Sequence, residues 1–375
     1  MKKFVLAPDS FKGTLSARQL CDGMEAVLLR HFPEAQVIRI PAADGGEGTV
    51  EAFLTACGGA LVQLPVTGPF MGETVEGFFG LLPDGSAVIE MAACAALPMV
   101  EDRKDPEGTT TYGVGQLMLA ALDRGCRKLY IGLGGSCTND GGCGAAAACG
   151  VKFFDGTGAA FVPTGGTLAK IARIDLSGLD PRLADTAITV LSDVKNPLYG
   201  PEGAACIFGP QKGADPACVE RLDAGLRNLD AVLQTALGRS FADLPGAGAA
   251  GGMGAGMTAF FGGKLKSGID ALLDAADFEN RTAGAAALFT GEGRIDSQSL
   301  GGKAVIGIAK RAAALGVPVI ALVGAAAPGS EAAYDHGVTA IFSTCRRCNT
   351  LAEAAQTAPA DLEASMEAIV RLMKL

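Results

Sequence analysis

One unit repeats in this chain and limits what it can fold into: a short apolar strand, a polar glycine-bearing loop, then a helix. It occurs first as Lys3–Pro8 (KFVLAP), the loop DSFKG, and a helix that Ser16 caps and that runs to about Arg30. It occurs again as Val37–Ile40, the loop ADGGEG, and a helix over Thr49–Cys57. Strands that feed helices through short loops build parallel sheets, and ligand loops then collect at the strand carboxyl ends. The unit returns late in the chain. Ala287–Thr290 reads as a strand, GEGRIDSQSLGGK as its loop and Ala304–Leu315 as a helix. Strands Pro318–Val323 and Thr339–Phe342 and a helix from Leu351 complete it.

The middle reads differently. Leu61–Val66, Thr74–Leu82 and Ala87–Met91 are strands joined by short turns, which predicts antiparallel pairing. A helix over Tyr112–Arg124 and a strand over Lys128–Leu133 follow. Next come an Ala-rich helix behind GGSCTNDGG, a strand over Thr186–Leu191 and an amphipathic helix over Pro216–Leu237. The expected fold class is α/β with two domains. A parallel-sheet domain forms from both chain ends, 1–58 and 284–375, and an α/β mixed-sheet domain, 59–283, is inserted in it.

The composition supports this and excludes other classes. Only 19% of the residues are charged and 49% are hydrophobic, which is not a disordered chain. Glycine is abundant, 53 of 375 residues, without the G-X-Y period of collagen. The net charge of −9 leaves no basic surplus for a nucleic acid partner. No apolar run reaches the roughly 18 residues of a membrane span, and Phe4–Ala7 is too short for a signal peptide core. No membrane partner and a cytoplasmic location are expected. The 11 cysteines are then free thiols, and the CxxC pair Cys345 and Cys348 is expected to be an ordinary loop pair. Only two histidines exist, His31 and His336, which argues against Ser-His-Asp and histidine-zinc chemistry. Base chemistry falls to carboxylates or lysine.

Five loops behind predicted strands combine glycine with charge: Asp9–Gly13, Asp44–Thr49, Gly134–Gly142, Ser192–Pro197 and Gly291–Asp296. Glycine lets backbone N–H groups approach an anion, and the following helix adds its positive end. Carboxylates beside such loops hold Mg²⁺ through oxygen, while Lys12, Lys195, Arg294 and Lys303 neutralise phosphate or carboxylate groups. A shared phosphate-handling site is therefore expected. No loop matches GxxxxGK[ST], so it is not a Walker site. The run Gly251–Gly256 is readable as a glycine-rich linker or as a nucleotide contact.

Taken in order, APDSFKGTLSA, ADGGEGT, GLGGSCTNDGG, SDVKNPLYGPEGAA, FGPQKGA, GAAGGMGAG and TGEGRIDSQSLGGK resemble the bacterial glycerate kinase family, of the glycerate 2-kinase type, from residue 6 to about 310. Cys137 and Cys143 stand where small residues are expected, and TCRRCN (344–349) replaces an expected Gly/Pro loop. The resemblance implies ATP-dependent phosphorylation of D-glycerate, with 2-phosphoglycerate the favoured product. It also implies a flavodoxin-like domain and an inserted domain likened to restriction endonucleases.

On that basis D-glycerate binds between the domains, its carboxylate held by Lys12 or Arg294. Asp9, Ser10, Gly134, Gly135, Ser136, Asn196 and Lys303 bind substrate or phosphate. Asp193 is the expected base, Asp296 the second choice and Lys12 a further catalytic group. Mg²⁺ rests on one or two of Asp44, Asp193 and Asp296. ATP and Mg²⁺ are the expected cofactors, and a monomer or homodimer is expected. A kinase for another small hydroxy acid or polyol would use the same loops, and a nucleotide sensor without catalysis is the remaining alternative.

Overall fold

The structure, a computed structural model, describes residues 2–296, 304–347 and 350–374. The chain divides into two compact units, 1–43 with 51–58 and 269–375, and 44–50 with 59–268.

The first unit carries a five-stranded sheet in the spatial order Gln36–Arg39, Lys3–Pro8, Ala287–Ile295, Val319–Ala326 and Ala340–Ser343. All pairings are parallel. Numbered by their order in this unit, the strands run 2-1-3-4-5, the flavodoxin-like arrangement. The central strands are near-continuous apolar runs because both faces are covered. Phe4, Leu6, Phe289 and Leu322 pack with Leu20, Met24 and Leu28 of helix Ala17–His31 and with Leu362 and Met366 of helix Leu351–Leu372. Ser16 caps the first helix with a full capping box: its Oγ accepts from Gln19 N, and the Gln19 side chain accepts from Ser16 N.

Two differences from the sequence reading concern this unit. The strand expected to stop at Thr290 continues through Ile295, and Gly291–Ile295 pair with the neighbouring strand up to Ala326. Gly291 permits this, since a Cβ there would lie 1.8 Å from the Leu322 carbonyl oxygen. The chain also returns to this unit at 269 rather than 284, because the helices around Phe278 are tied to it. Arg311 holds Glu279 and Asp274 at 2.7 and 2.8 Å, and Arg281 donates to the Ala56 carbonyl.

The second unit carries a six-stranded mixed sheet. Its order is Lys264–Lys266, Ala187–Leu191, Lys128–Gly132, Ala87–Glu90, Thr74–Leu81 and Ala60–Thr67. The first four strands are parallel, and the last three pair antiparallel, as their short turns predict. Helix Pro216–Leu237 starts and stops where its local chemistry directs. Asp215 accepts from Cys218 N at its start, and Gly238 at φ 76° closes its end. A small antiparallel sheet of Lys152–Phe154, Ala160–Phe161 and Arg173–Asp175 escapes the sequence reading, since strands of two or three residues carry no periodicity. The Gly251–Gly256 run is neither a linker nor an open loop. It lies in helix Ala249–Phe261, whose first turn is broken by the left-handed residues Ala250, Gly251 and Gly252.

Buried thiols are a consequence of both cores. Burial pushes Cys21, Cys137 and Cys149 up to about 12, and it raises Cys94 and Cys143 as well. Unfolding releases these thiols to titrate near 9.0, so above that pH the unfolded chain binds fewer protons than the folded one. Their contribution is complete below pH 9 and is lost as pH rises toward the folded values. The buried Lys212, pushed down to about 8, works in the opposite sense, but one ammonium is outnumbered by five thiols. Urea unfolding under reducing conditions should therefore show a midpoint that falls between about pH 8 and about pH 10.5. A flat profile would contradict this account.

Candidate active site

Four parallel strands of the second unit end side by side, and their carboxyl ends are crossed by the loop 44–48. The fit is backbone against backbone. A Cβ on Gly45 would lie 2.6 Å from the Leu191 carbonyl oxygen, and one on Gly132 would lie 2.6 Å from the Gly45 carbonyl oxygen. One on Gly134 would lie 2.5 Å from Gly46 Cα, and one on Gly268 would lie 2.5 Å from the Asp44 carbonyl carbon. Gly134 N donates to Gly45 O at 2.8 Å, and Ser192 N donates to Lys266 O at 3.1 Å. Only glycine leaves room for such contact. The loops expected at 44–49, 134–142 and 192–197 thus form one cluster, with Asp44 and Asp193 both exposed on it.

Two buried carboxylates hold this cluster. Glu90, at the end of its strand, accepts from Val50 N at 3.0 Å and from Gly48 N at 3.4 Å. Burial raises its pKa and the amide bonds oppose the rise. Asp140 Oδ2 accepts from Thr111 N, Thr111 Oγ1 and Gly144 N at 2.7, 2.8 and 3.1 Å, and its Oδ1 accepts from Gly142 N at 3.0 Å. It therefore ties down the start of the Ala-rich helix Cys143–Ala148, whose N-cap is Gly142. Burial outweighs these bonds and raises its pKa. Helix Ala249–Phe261 closes the far side of the 138–142 segment. A Cβ on Gly251 would meet the Thr138 carbonyl oxygen at 2.2 Å, and one on Gly256 would meet the Gly141 carbonyl oxygen at 2.2 Å.

The remaining expected residues are placed as follows. Gly134 is half-buried, Gly135 exposed and Ser136 buried, with Gly135 O accepting from Leu97 N. Asn196 Nδ2 donates to the Glu202 carbonyl at 2.8 Å, so this amide braces its own loop. In the first unit, Asp9 accepts from Ser10 N at 2.7 Å, and Asp9 N donates to Gly291 O at 2.8 Å. Lys12 is exposed, and its backbone N passes 3.6 Å from where a Cβ on Gly293 would stand. Arg294 sits on strand Ala287–Ile295 rather than in a loop. It is exposed and lies 3.6 Å from Asp296. Lys303 and Cys348 lie outside the described residues.

Glu90 and Lys212, both buried in the second unit, have no role in the sequence reading. Lys212 belongs to the quoted FGPQKGA motif, but nothing in a sequence marks a lysine as buried. Among the described residues no three His, Cys, Asp or Glu side chains gather to hold a metal. A nucleotide-bound Mg²⁺ needs only one or two protein carboxylates, the rest coming from phosphates and water. The exposed Asp44 and Asp193, on adjoining loops, suit that mode.

Mixed α/β units with charged, glycine-bearing loops at the ends of parallel strands define a class of small-ligand binders suited to phosphate groups. Comparison with known proteins narrows it. The glycerate kinase family profile matches residues 4–374. The glycerate kinase of Bacillus subtilis (strain 168) is 44% identical over 375 residues, covering 100% of this chain and 98% of that protein. The glycerate 2-kinase of Escherichia coli (strain K12) is 46% identical over 354 residues, covering 94% and 93%. A crystal structure from Salmonella typhimurium LT2 matches with a TM-score of 0.89 at 42% identity, covering 100% of this chain and 98% of the other. The chain belongs to the glycerate kinase family. No helix among the described residues is long and apolar enough to cross a membrane.

The backbone contacts predict a contrast between two glycines. Gly134→Ala should lower the unfolding free energy by about 2–4 kcal/mol, because its methyl collides with main chain. Gly48, at φ 87° with nothing within 4 Å, should cost only about 1–2 kcal/mol when replaced by Ala. Equal losses in urea titrations would show that close approach is not the constraint at Gly134.

Proposed function

We propose that this protein is an ATP-dependent kinase of D-glycerate and that 2-phosphoglycerate is its product. The observation that carries this is the family relationship along the whole chain, which includes every charged loop at the strand ends. The acidic net charge fits a small anionic substrate met by a few placed cations rather than by a basic surface.

Phosphoryl transfer asks for alignment, neutralised charge and a group that takes the hydroxyl proton. Asp193 is proposed as that base. It is exposed beyond the end of strand Ala187–Leu191, on a segment whose Val194 N donates to Ser192 Oγ. Asp296 is the second choice. Lys12 and Arg294 hold the substrate carboxylate, and Asp9 and Ser10 orient the Lys12 segment. The N–H groups of Gly135 and Ser136 face phosphate oxygens, assisted by Lys303, while Gly134, whose N–H is given to Gly45 O, holds that loop in place and Asn196 braces the Asp193 loop. Mg²⁺, held by one or two of Asp44, Asp193 and Asp296, would draw charge from the phosphate oxygens.

An assay coupling ADP release to a readout, run over D-glycerate, L-glycerate, glycerol and hydroxypyruvate, should show turnover with D-glycerate first. Phosphorus NMR should place the phosphate on C2. Faster turnover with another acceptor would replace the substrate assignment. Asp193→Asn keeps the shape and removes the base, so kcat should fall by roughly 10²–10⁴. Turnover within about tenfold of wild type would exclude Asp193 and move the test to Asp296.

A further inference from the structure

Lys212 stands at the end of the turn Pro210–Lys212 and is 2% exposed. Its Nζ donates to Ser136 Oγ at 2.9 Å and to the Thr138 carbonyl at 2.6 Å. Both acceptors are neutral, and no carboxylate lies within ion-pairing distance of it among the described residues. The nearest candidate, Asp140, is committed elsewhere: its oxygens accept from Thr111, Gly142 and Gly144. An ammonium has three N–H donors, and two are used. Burying a cation without a counter-charge is costly, and lysine in that position is rarely a structural choice.

Asn139 follows Thr138 on the same loop and is fully buried, and neither its Oδ1 nor its Nδ2 has a partner. Each orphaned polar atom of this kind costs about 1–3 kcal/mol. One short segment, Ser136–Asn139, thus adjoins a buried cation with no ion-pair partner, Asp140 acting on it only from beyond contact, and carries an unsatisfied amide. The hydroxyl of Ser136 adds a further constraint. Its oxygen accepts from Lys212, so its own proton points to something else. Gly135 beside it is exposed, so this segment reaches solvent.

We infer that Lys212, Ser136 and Asn139 form a buried receptor for an oxyanion carried by one of the substrates. The ligand oxygen completes the third N–H of Lys212, takes the Ser136 proton and engages the Asn139 amide. The oxyanion is either a nucleotide phosphoryl group or the carboxylate of the acceptor. Burial holds the pKa of Lys212 down to about 8, so the free protein still carries the charge at neutral pH. A clamp made only to hold Thr138 and Ser136 would need no charge at all.

This inference deepens the kinase reading and rests on it for the identity of the two ligands. Calorimetric titration of wild type, Lys212→Met and Asn139→Asp with ATP, with D-glycerate and with inorganic pyrophosphate tests it, alongside urea unfolding of each. Lys212→Met should retain or gain stability, since it removes an unpaired charge and keeps the length. Its dissociation constant should rise by more than about 30-fold for one anion, ~2 kcal/mol by the affinity relation. Loss confined to ATP and pyrophosphate assigns the phosphoryl group, and loss confined to D-glycerate assigns the carboxylate. Asn139→Asp sets a negative charge where the anion is placed, and it should weaken the same ligand by a similar factor. If either folded variant binds all three ligands within about threefold of wild type, the receptor does not exist. If Lys212→Met unfolds, Asn139→Asp alone decides. A wild type that turns over no glycerate would sink the kinase reading, whereas pyrophosphate binding by wild type against the variants would still judge the receptor.

Discussion

The arrangement of the second unit depends on main chain touching main chain at the ends of its parallel strands. Gly45, Gly132, Gly134 and Gly268 each stand where a single methyl group would overlap backbone atoms. This removes side-chain thickness from the junction, so the loop 44–48 can lie directly across the four parallel strand ends. The charged residues of these loops, Asp44, Glu47 and Asp193, are then turned outward onto one surface. Glycine in this setting is a device for close packing, and its abundance does not signal a slack chain.

Buried charge within that frame falls into two kinds. Glu90 and Asp140 are spent on backbone amides: each carboxylate answers donors of a loop or a helix start that would otherwise be buried unpaired. Such groups are integral to folding, because removing one strands several donors at once. Lys212 is of the second kind. It meets only neutral acceptors, so its charge costs the free fold and becomes useful when an anion arrives. The surface ion pairs, such as Arg221 with Glu107 at 2.8 Å, matter less, because solvent screens them.

Much of the fold could be read along the chain because its signals are local. The capping box at Ser16, the Asp215 cap with Pro216 behind it and the terminating Gly238 mark helix ends within a few residues. The turns after Thr67 and Leu82 give antiparallel partners by length alone. Readings failed where a distant partner decides. Gly291–Ile295 look like a loop until Leu322–Ala326 lie beside them as a strand. Gly251–Gly256 look like a linker until the 138–142 segment packs against them.

The sequence by itself determined the class of the protein: strand, charged glycine loop and helix repeat in an order that one family shares. It also singled out the charged, glycine-bearing loops behind strands as candidates for anion binding, since glycine lets backbone N–H groups approach a ligand. Tertiary structure alone decided which backbones touch, which carboxylates are spent on amides and which buried cation, among the described residues, meets neutral acceptors and no carboxylate. The physical reason is that burial and pairing depend on groups brought together from far along the chain. Lys212 and Ser136 are 76 residues apart in sequence and 2.9 Å apart in the fold.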